Sequence, residues 1–159
     1  MNDVTATVEP ALTGAPANDS CELTSHVRLE RVIMLINPLS GGVGPTAAEE
    51  ALDILSRYAC QTEVVSLESG AFDNQIRAAL DARPDALFVL AGDGTAGTIA
   101  SLAGPDGPLV APLPGGTMNM LPKALYGSSD WKTALKVSLE QGAPHDVAGG
   151  EVDDGATRQ

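Results

Sequence analysis

Two runs of five apolar residues, Val32-Ile33-Met34-Leu35-Ile36 and Ala86-Leu87-Phe88-Val89-Leu90, constrain this chain more than any other feature. Neither run alternates polar with apolar residues. Each therefore reads as a strand covered on both faces, the condition of a parallel sheet clothed by helices. Between and after them the apolar period becomes helical. Pro45 suits a first helical position, and Glu49 and Glu50 suit the positive end of a helix dipole. Ala48, Ala51, Leu52, Leu55 and Tyr58 share a stripe, which predicts a helix of about four turns.

The same alternation continues down the chain. A strand at Thr62 to Leu67 is followed by a helix with Phe72, Ile76, Ala79 and Leu80 on one face. A small-residue helix through Ile99 and Leu102 leads to a fourth strand at Pro108-Leu109-Val110-Ala111-Pro112. Asn119 is placed to cap a helix that tolerates Pro122 in its first turn, and Trp131, Ala134, Leu135 and Leu139 mark a last amphipathic helix. Strand alternating with helix predicts an α/β fold with a parallel sheet and right-handed crossovers. Residues 1–29, rich in Ala, Thr, Pro, Asn and Asp without useful periodicity, read as a disordered tail.

Length and composition limit the rest. A chain of 159 residues fits one domain, and with 43% apolar and 19% charged residues it is composed like a globular protein. Aromatics are only 3%, so the core is aliphatic. The net charge of −12, with basic residues scattered, repels nucleic acid and anionic membrane surfaces, leaving at most peripheral membrane contact through apolar groups. Cys21 and Cys60 form no C-x-x-C and belong to no larger set, so neither a disulfide framework nor a zinc site is read. With no signal-peptide pattern and no apolar run near the roughly 18 residues of a membrane span, the chain reads as cytoplasmic, its thiols reduced.

Three loops are unusual: Asn37-Pro38-Leu39-Ser40-Gly41-Gly42-Val43-Gly44, Ala91-Gly92-Asp93-Gly94-Thr95, and Pro114-Gly115-Gly116-Thr117-Met118-Asn119. Each follows an apolar strand and precedes a helix, so in a parallel sheet all gather at the carboxyl edge where ligands bind. Glycine there lets backbone N–H groups approach an anion, the helix behind adds its dipole, and Ser40, Thr95 and Thr117 offer hydroxyl donors. Such a set suits a polyphosphate. A carboxylate at Asp93, between two glycines, would repel that ligand unless a divalent cation intervenes or the carboxylate takes a proton, and both uses belong to phosphoryl transfer. Gly92-Asp93-Gly94-Thr95-Ala96-Gly97 also matches a dinucleotide fingerprint. It follows the third strand rather than the first, carries an acid where the pyrophosphate would rest, and lacks an acid about 20 residues on. No G-x-x-x-x-G-K-[ST] occurs.

Asn37-Pro38-x-Ser40-Gly41, Gly92-Asp93-Gly94-Thr95 and Pro114-x-Gly116-Thr117-x-Asn119, in this order, resemble the catalytic domain of the diacylglycerol kinase family, which includes bacterial lipid kinases and sphingosine kinases. The resemblance implies a three-layer α/β/α domain of the NAD kinase and diacylglycerol kinase type, binding ATP with Mg2+, and then a β-sandwich domain that helps form a lipid site. It implies that Asn37, Ser40, Gly41, Gly92, Gly94, Thr95, Gly116, Thr117 and Asn119 bind the nucleotide, and that Asp93, as catalytic and metal residue, handles the metal or the acceptor hydroxyl, with a carboxylate of the second domain an equal candidate for the base. The resemblance also implies a lipid substrate, such as diacylglycerol or a sphingoid base. An NAD kinase shares the Gly-Asp-Gly-Thr loop and stands as the alternative enzyme; a non-catalytic nucleotide-binding fragment is the alternative outside enzymes.

The chain departs from the family pattern at Ala91, where a glycine is usual, at Met120, where an acid is usual, and at Lys123, where an arginine is usual. Residues 30–144 are expected to be the nucleotide-binding domain. Residues 145–159, with His145-Asp146-Val147 as an opening strand, are expected to begin a second domain that is cut short. His26 and His145 are read as bystanders.

Overall fold

The computed structural model describes residues 21–23 and 27–147. Four strands form the central sheet: β3 (Arg31–Ile36), β4 (Gln61–Ser66), β5 (Ala86–Ala91) and β6 (Leu109–Pro114). All pair in parallel, in the order β4-β3-β5-β6. The two apolar runs are thus the inner strands, with Val32 facing Ala86 and Ile36 facing Leu90. Every residue of β5 is buried, as is every residue of β3 after Arg31.

Alternation along these strands divides the core in two. Val32, Met34 and Ile36 of β3 and Ala86, Phe88 and Leu90 of β5 point to one face. There they meet α1 (Ala47–Leu55) through Ala47, Ala51, Ile54 and Leu55, and α5 (Trp131–Gln141) through Trp131, Ala134, Leu135 and Leu139. Ile33, Leu35, Leu87, Val89 and Ala91 point to the other face. Ile76 and Ala79 of α2 (Phe72–Asp81) and Ala96 and Ile99 of α3 (Asp93–Ala103) cover them. The result is the expected three-layer α/β/α arrangement. A short helix, α4 (Met120–Tyr126), joins β6 to α5.

Asp85 pins the amino end of the sheet. One carboxylate oxygen accepts from the N–H groups of Glu30 (2.7 Å) and Arg31 (2.8 Å), while the Asp85 N–H donates to the Arg31 carbonyl (2.8 Å). Because side chains alternate with a period of two, a register held here decides which face each strand residue meets. Strand β4, at the sheet edge, is only partly covered and carries Glu63, a charge of the kind that discourages edge pairing.

Several elements differ from the sequence expectation. Helix α1 spans nine residues rather than four turns: Pro45 lies in the preceding turn, Leu52 is 48% exposed, and Ile54 takes the buried position. Tyr58 lies beyond the helix, where its hydroxyl donates to Glu140 (2.7 Å). Strand β6 extends through Pro114, since an edge strand tolerates prolines that give no ladder N–H. The expected tail reached residue 29, but β1 (Cys21–Leu23) and β2 (Val27–Leu29) pair as an antiparallel ribbon, and Leu29 is buried in the α1/α5 core. That pairing joins segments whose sequence shows no period. Residues 1–20 lie outside the described residues. His145-Asp146-Val147 belongs to no strand, and the expected second domain otherwise falls on residues 148–159, outside the described ones. Among the described residues, no helix is long and apolar enough to cross a membrane.

Two outcomes test this account. Phe88, 1% exposed in the middle of β5, leaves a cavity when replaced, so Phe88→Ala is expected to cost about 3–5 kcal/mol in urea denaturation. Asp130 caps α5, accepting from the Thr133 N–H (3.0 Å) and hydroxyl (2.6 Å), and the Thr133 hydroxyl bond holds its carboxyl below the ordinary value. A depressed folded value stabilises above the unfolded pKa and is lost as pH falls through the folded one. Asp130→Ala is therefore expected to cost about 1 kcal/mol near neutrality. Its deficit against the parent protein should shrink in denaturation series taken below about pH 4.

Candidate functional site

Strand β3 is flanked by β4 on one side and β5 on the other, so the chain leaves β3 and β5 in opposite directions. A crevice opens at such a reversal, beyond the carboxyl ends of the strands. The loop after β3 and the loop after β5 border it, and the loop after β6 lies beside them.

Backbone hydrogen bonds join these loops into one body. The Asn37 N–H donates to the Leu90 carbonyl (2.9 Å), the Gly42 N–H to the Gly115 carbonyl (3.0 Å), and the Gly115 N–H to the Ala91 carbonyl (3.1 Å). The Gly92 N–H donates to Ser40 Oγ (3.2 Å). Acting as an acceptor there, Ser40 keeps its own hydroxyl proton to donate elsewhere.

The glycines fall into two kinds. A Cβ on Gly116 would stand 2.7 Å from the Gly92 Cα, and one on Gly115 would stand 2.7 Å from the Ala91 nitrogen. These two residues let one loop lie directly on the next. Gly94, by contrast, has no atom within 4 Å of where its Cβ would be, so the first turn of α3 is open to approach from outside.

Asp93 is the first residue of α3, behind Gly92 as N-cap. One carboxylate oxygen, Oδ2, accepts from the Met120 N–H at 3.1 Å. The other, Oδ1, is buried and has no hydrogen-bond partner. Thr95 is half-buried in the same first turn, and Thr117 is exposed at the tip of the third loop. Asn37 Oδ1 accepts from the Leu39 N–H (3.1 Å), which shapes the first loop.

Asn119 corrects an expectation. It precedes α4 as foreseen but does not cap it, because its backbone is left-handed (φ 50°, ψ 45°) and its side chain turns back into its own loop. There the carboxamide accepts from the Gly116 N–H and donates to the Gly116 carbonyl, both at 2.8 Å. Only 7% exposed, Asn119 holds the third loop in shape.

Asn37, Ser40, Gly41, Gly92, Asp93, Gly94, Thr95, Gly116, Thr117 and Asn119 thus all belong to one interlocked edge. Sequence reasoning passed over Gly115, whose signal was its place directly after Pro114, and Gly42, whose N–H ties the first loop to the third. His145 is exposed in the coil after α5, and His26 lies outside the described residues.

The two kinds of glycine give opposite expectations. Gly116→Ala drives a methyl group into backbone and should cost about 1–3 kcal/mol. Gly94→Ala, in open space within a helix, should stabilise by about 0.5–1 kcal/mol. Thermal unfolding of the two variants against the parent protein checks both signs.

The fold has counterparts among known proteins. Two crystal structures of Bacillus anthracis str. Sterne proteins share the fold, one described as a candidate diacylglycerol kinase and the other as a diacylglycerol kinase. The first is 21% identical with a TM-score of 0.58, over 71% of this chain and 43% of that one. The second is 22% identical with a TM-score of 0.59, over 70% of this chain and 44% of that one. The chain therefore spans less than half the length of either solved chain. No curated protein matches it. The model of the diacylglycerol kinase catalytic domain matches residues 31–152, which takes in β3 to α5 and all three loops. On that match, the chain belongs to the diacylglycerol kinase catalytic domain family.

Proposed function

We propose that this chain supplies the nucleotide-binding half of an enzyme that phosphorylates a lipid hydroxyl with ATP. The observation that carries the reading is the interlocked glycine edge with Asp93 at its centre. Lipid, as the acceptor class, comes from the family to which the chain belongs.

The donor set suits a triphosphate carried with Mg2+. Among the described residues no three His, Cys, Asp or Glu side chains gather into a metal cluster, so the protein's share here is the single carboxylate of Asp93. Mg2+ is commonly held by one or two carboxylates plus substrate phosphates and water, and the orphaned Asp93 Oδ1 is the oxygen left for it. When bound, the ion would neutralise charge on the transferring phosphoryl group.

The chain's own groups do the rest. The open backbone at Gly94 and the α3 N-terminus admit the phosphates, and the Ser40 hydroxyl keeps a proton to donate to them. Thr95 and Thr117 offer further hydroxyls, and Asn37, Gly41, Gly92, Gly116 and Asn119 hold the loops around them. Phosphoryl transfer depends mainly on positioning and charge stabilisation, and a preformed rigid edge supplies positioning. The chain spans less than half the length of the solved chains it resembles, so in this reading the acceptor site draws on further parts of such a protein, and the 159-residue chain binds Mg-ATP but transfers negligible phosphate to lipid.

Calorimetric titration with Mg-ATP tests the nucleotide assignment. Asp93→Ala and Gly94→Val are each expected to weaken binding about tenfold or more, the loss of one good charge-assisted contact. Unchanged affinity in both would place the nucleotide elsewhere. For the acceptor, diacylglycerol, sphingosine and NAD are offered together with radiolabelled ATP to a version extended through the second domain. Label is expected on a lipid, and label on NAD alone would sink the lipid assignment.

A further inference from the structure

Helix α4 is seven residues long and begins without a cap of its own. The first N–H groups of any helix need acceptors from outside it. Asn119, the residue placed to provide one, is committed to Gly116 through both ends of its carboxamide. Pro122 has no N–H, and the Lys123 N–H already donates to the Asn119 carbonyl (3.0 Å). The Met120 N–H is met by Asp93 Oδ2, from a residue 27 positions earlier and on another helix. Helix α4 is therefore anchored by the carboxylate at the centre of the phosphate edge.

That carboxylate has an oxygen to spare. Asp93 Oδ1 is shielded from water and receives no hydrogen bond, an unfavourable state for a buried acceptor unless something else meets it. We propose that Asp93 is a positioning residue for α4 as well as a ligand group. Oδ2 anchors the helix and Oδ1 meets the cation carried with the phosphates, so that filling the phosphate edge steadies α4. The second task rests on the nucleotide reading above, while the first stands on the geometry alone.

The coupling reaches a surface of distinct chemistry. At about 100° per residue, Met120, Leu121, Ala124 and Leu125 share one side of α4, away from buried Pro122. Met120, Leu121 and Leu125 are 67%, 41% and 44% exposed. Asp93 therefore sets where this apolar side stands relative to the phosphate loops.

Amide hydrogen exchange read at Met120 and Lys123, in the unliganded 159-residue chain and with Mg-ATP, separates the two tasks. Asp93→Ala is expected to speed exchange at both amides about fivefold in the unliganded protein, as loss of a capping acceptor does. Asp93→Asn keeps an acceptor oxygen and is expected to leave the unliganded rates close to those of the parent chain. Mg-ATP is expected to slow both amides in the parent chain and to have no such effect in Asp93→Asn. Parent-like rates in Asp93→Ala, or equal acceleration in both variants, overturn the anchoring. If the parent chain binds Mg-ATP with no change at either amide, the coupling is overturned. A parent chain that fails to bind Mg-ATP removes the nucleotide reading and the coupling with it, and the unliganded rates still decide the anchoring.

Discussion

The pairing of β3 with β5 is the constraint on which the rest of the molecule depends. Both strands are apolar along their length and buried on both faces, so neither can stand at an edge or face water. Their side chains divide the core between α1 and α5 on one face and α2 and α3 on the other. The same pairing brings two strand ends together where the chain turns away in opposite directions, the place where ligands bind in open parallel sheets. Core and candidate site follow from one ladder.

What makes that edge a defined site is contact between backbones. Gly116 lies on Gly92 and Gly115 on Ala91, closer than any side chain would allow. Hydrogen bonds then link the first loop to the second through Ser40, the first to the third through Gly42 and the second to the third through Gly115, while Asp93 ties the second loop to the start of α4. The loops are held in advance of any ligand, which spares the ordering entropy that binding would otherwise cost. Asn119 contributes by accepting a left-handed backbone, a conformation Asn tolerates better than most residues. Ordinary loop polar groups have thus been turned inward to set one loop against another.

The sequence was most legible where one physical signal acted alone. Two unbroken apolar runs identified the inner strands, and the helical stripe of Trp131, Ala134, Leu135 and Leu139 was buried as expected. Legibility failed where local preference met tertiary contact. Leu52 matched the apolar stripe of α1 but stands exposed, because the helix stops at Leu55 and its buried side runs through Ala47, Ala51 and Ile54. The β1 and β2 ribbon lacks any period, and pairing alone marks its segments as strands. Asn119 had the residue type and place of a cap, yet its side chain found Gly116 first.

By itself, the sequence determined the layer architecture, the parallel direction of the sheet and the three loops that its strands deliver to one edge. Those features depend on burial period and turn chemistry, which are local and can be read along the chain. Only the tertiary structure decided what each loop residue does. Gly94 and Gly116 are the same residue in similar loops, but one faces open space and the other faces backbone. Asp93 reads along the chain as a carboxylate between glycines; in the fold one of its oxygens holds Met120 and the other is left without a partner. The physical reason is distance in sequence: these roles come from atoms 24 to 27 positions away, and no local pattern records which of them the fold will bring into contact.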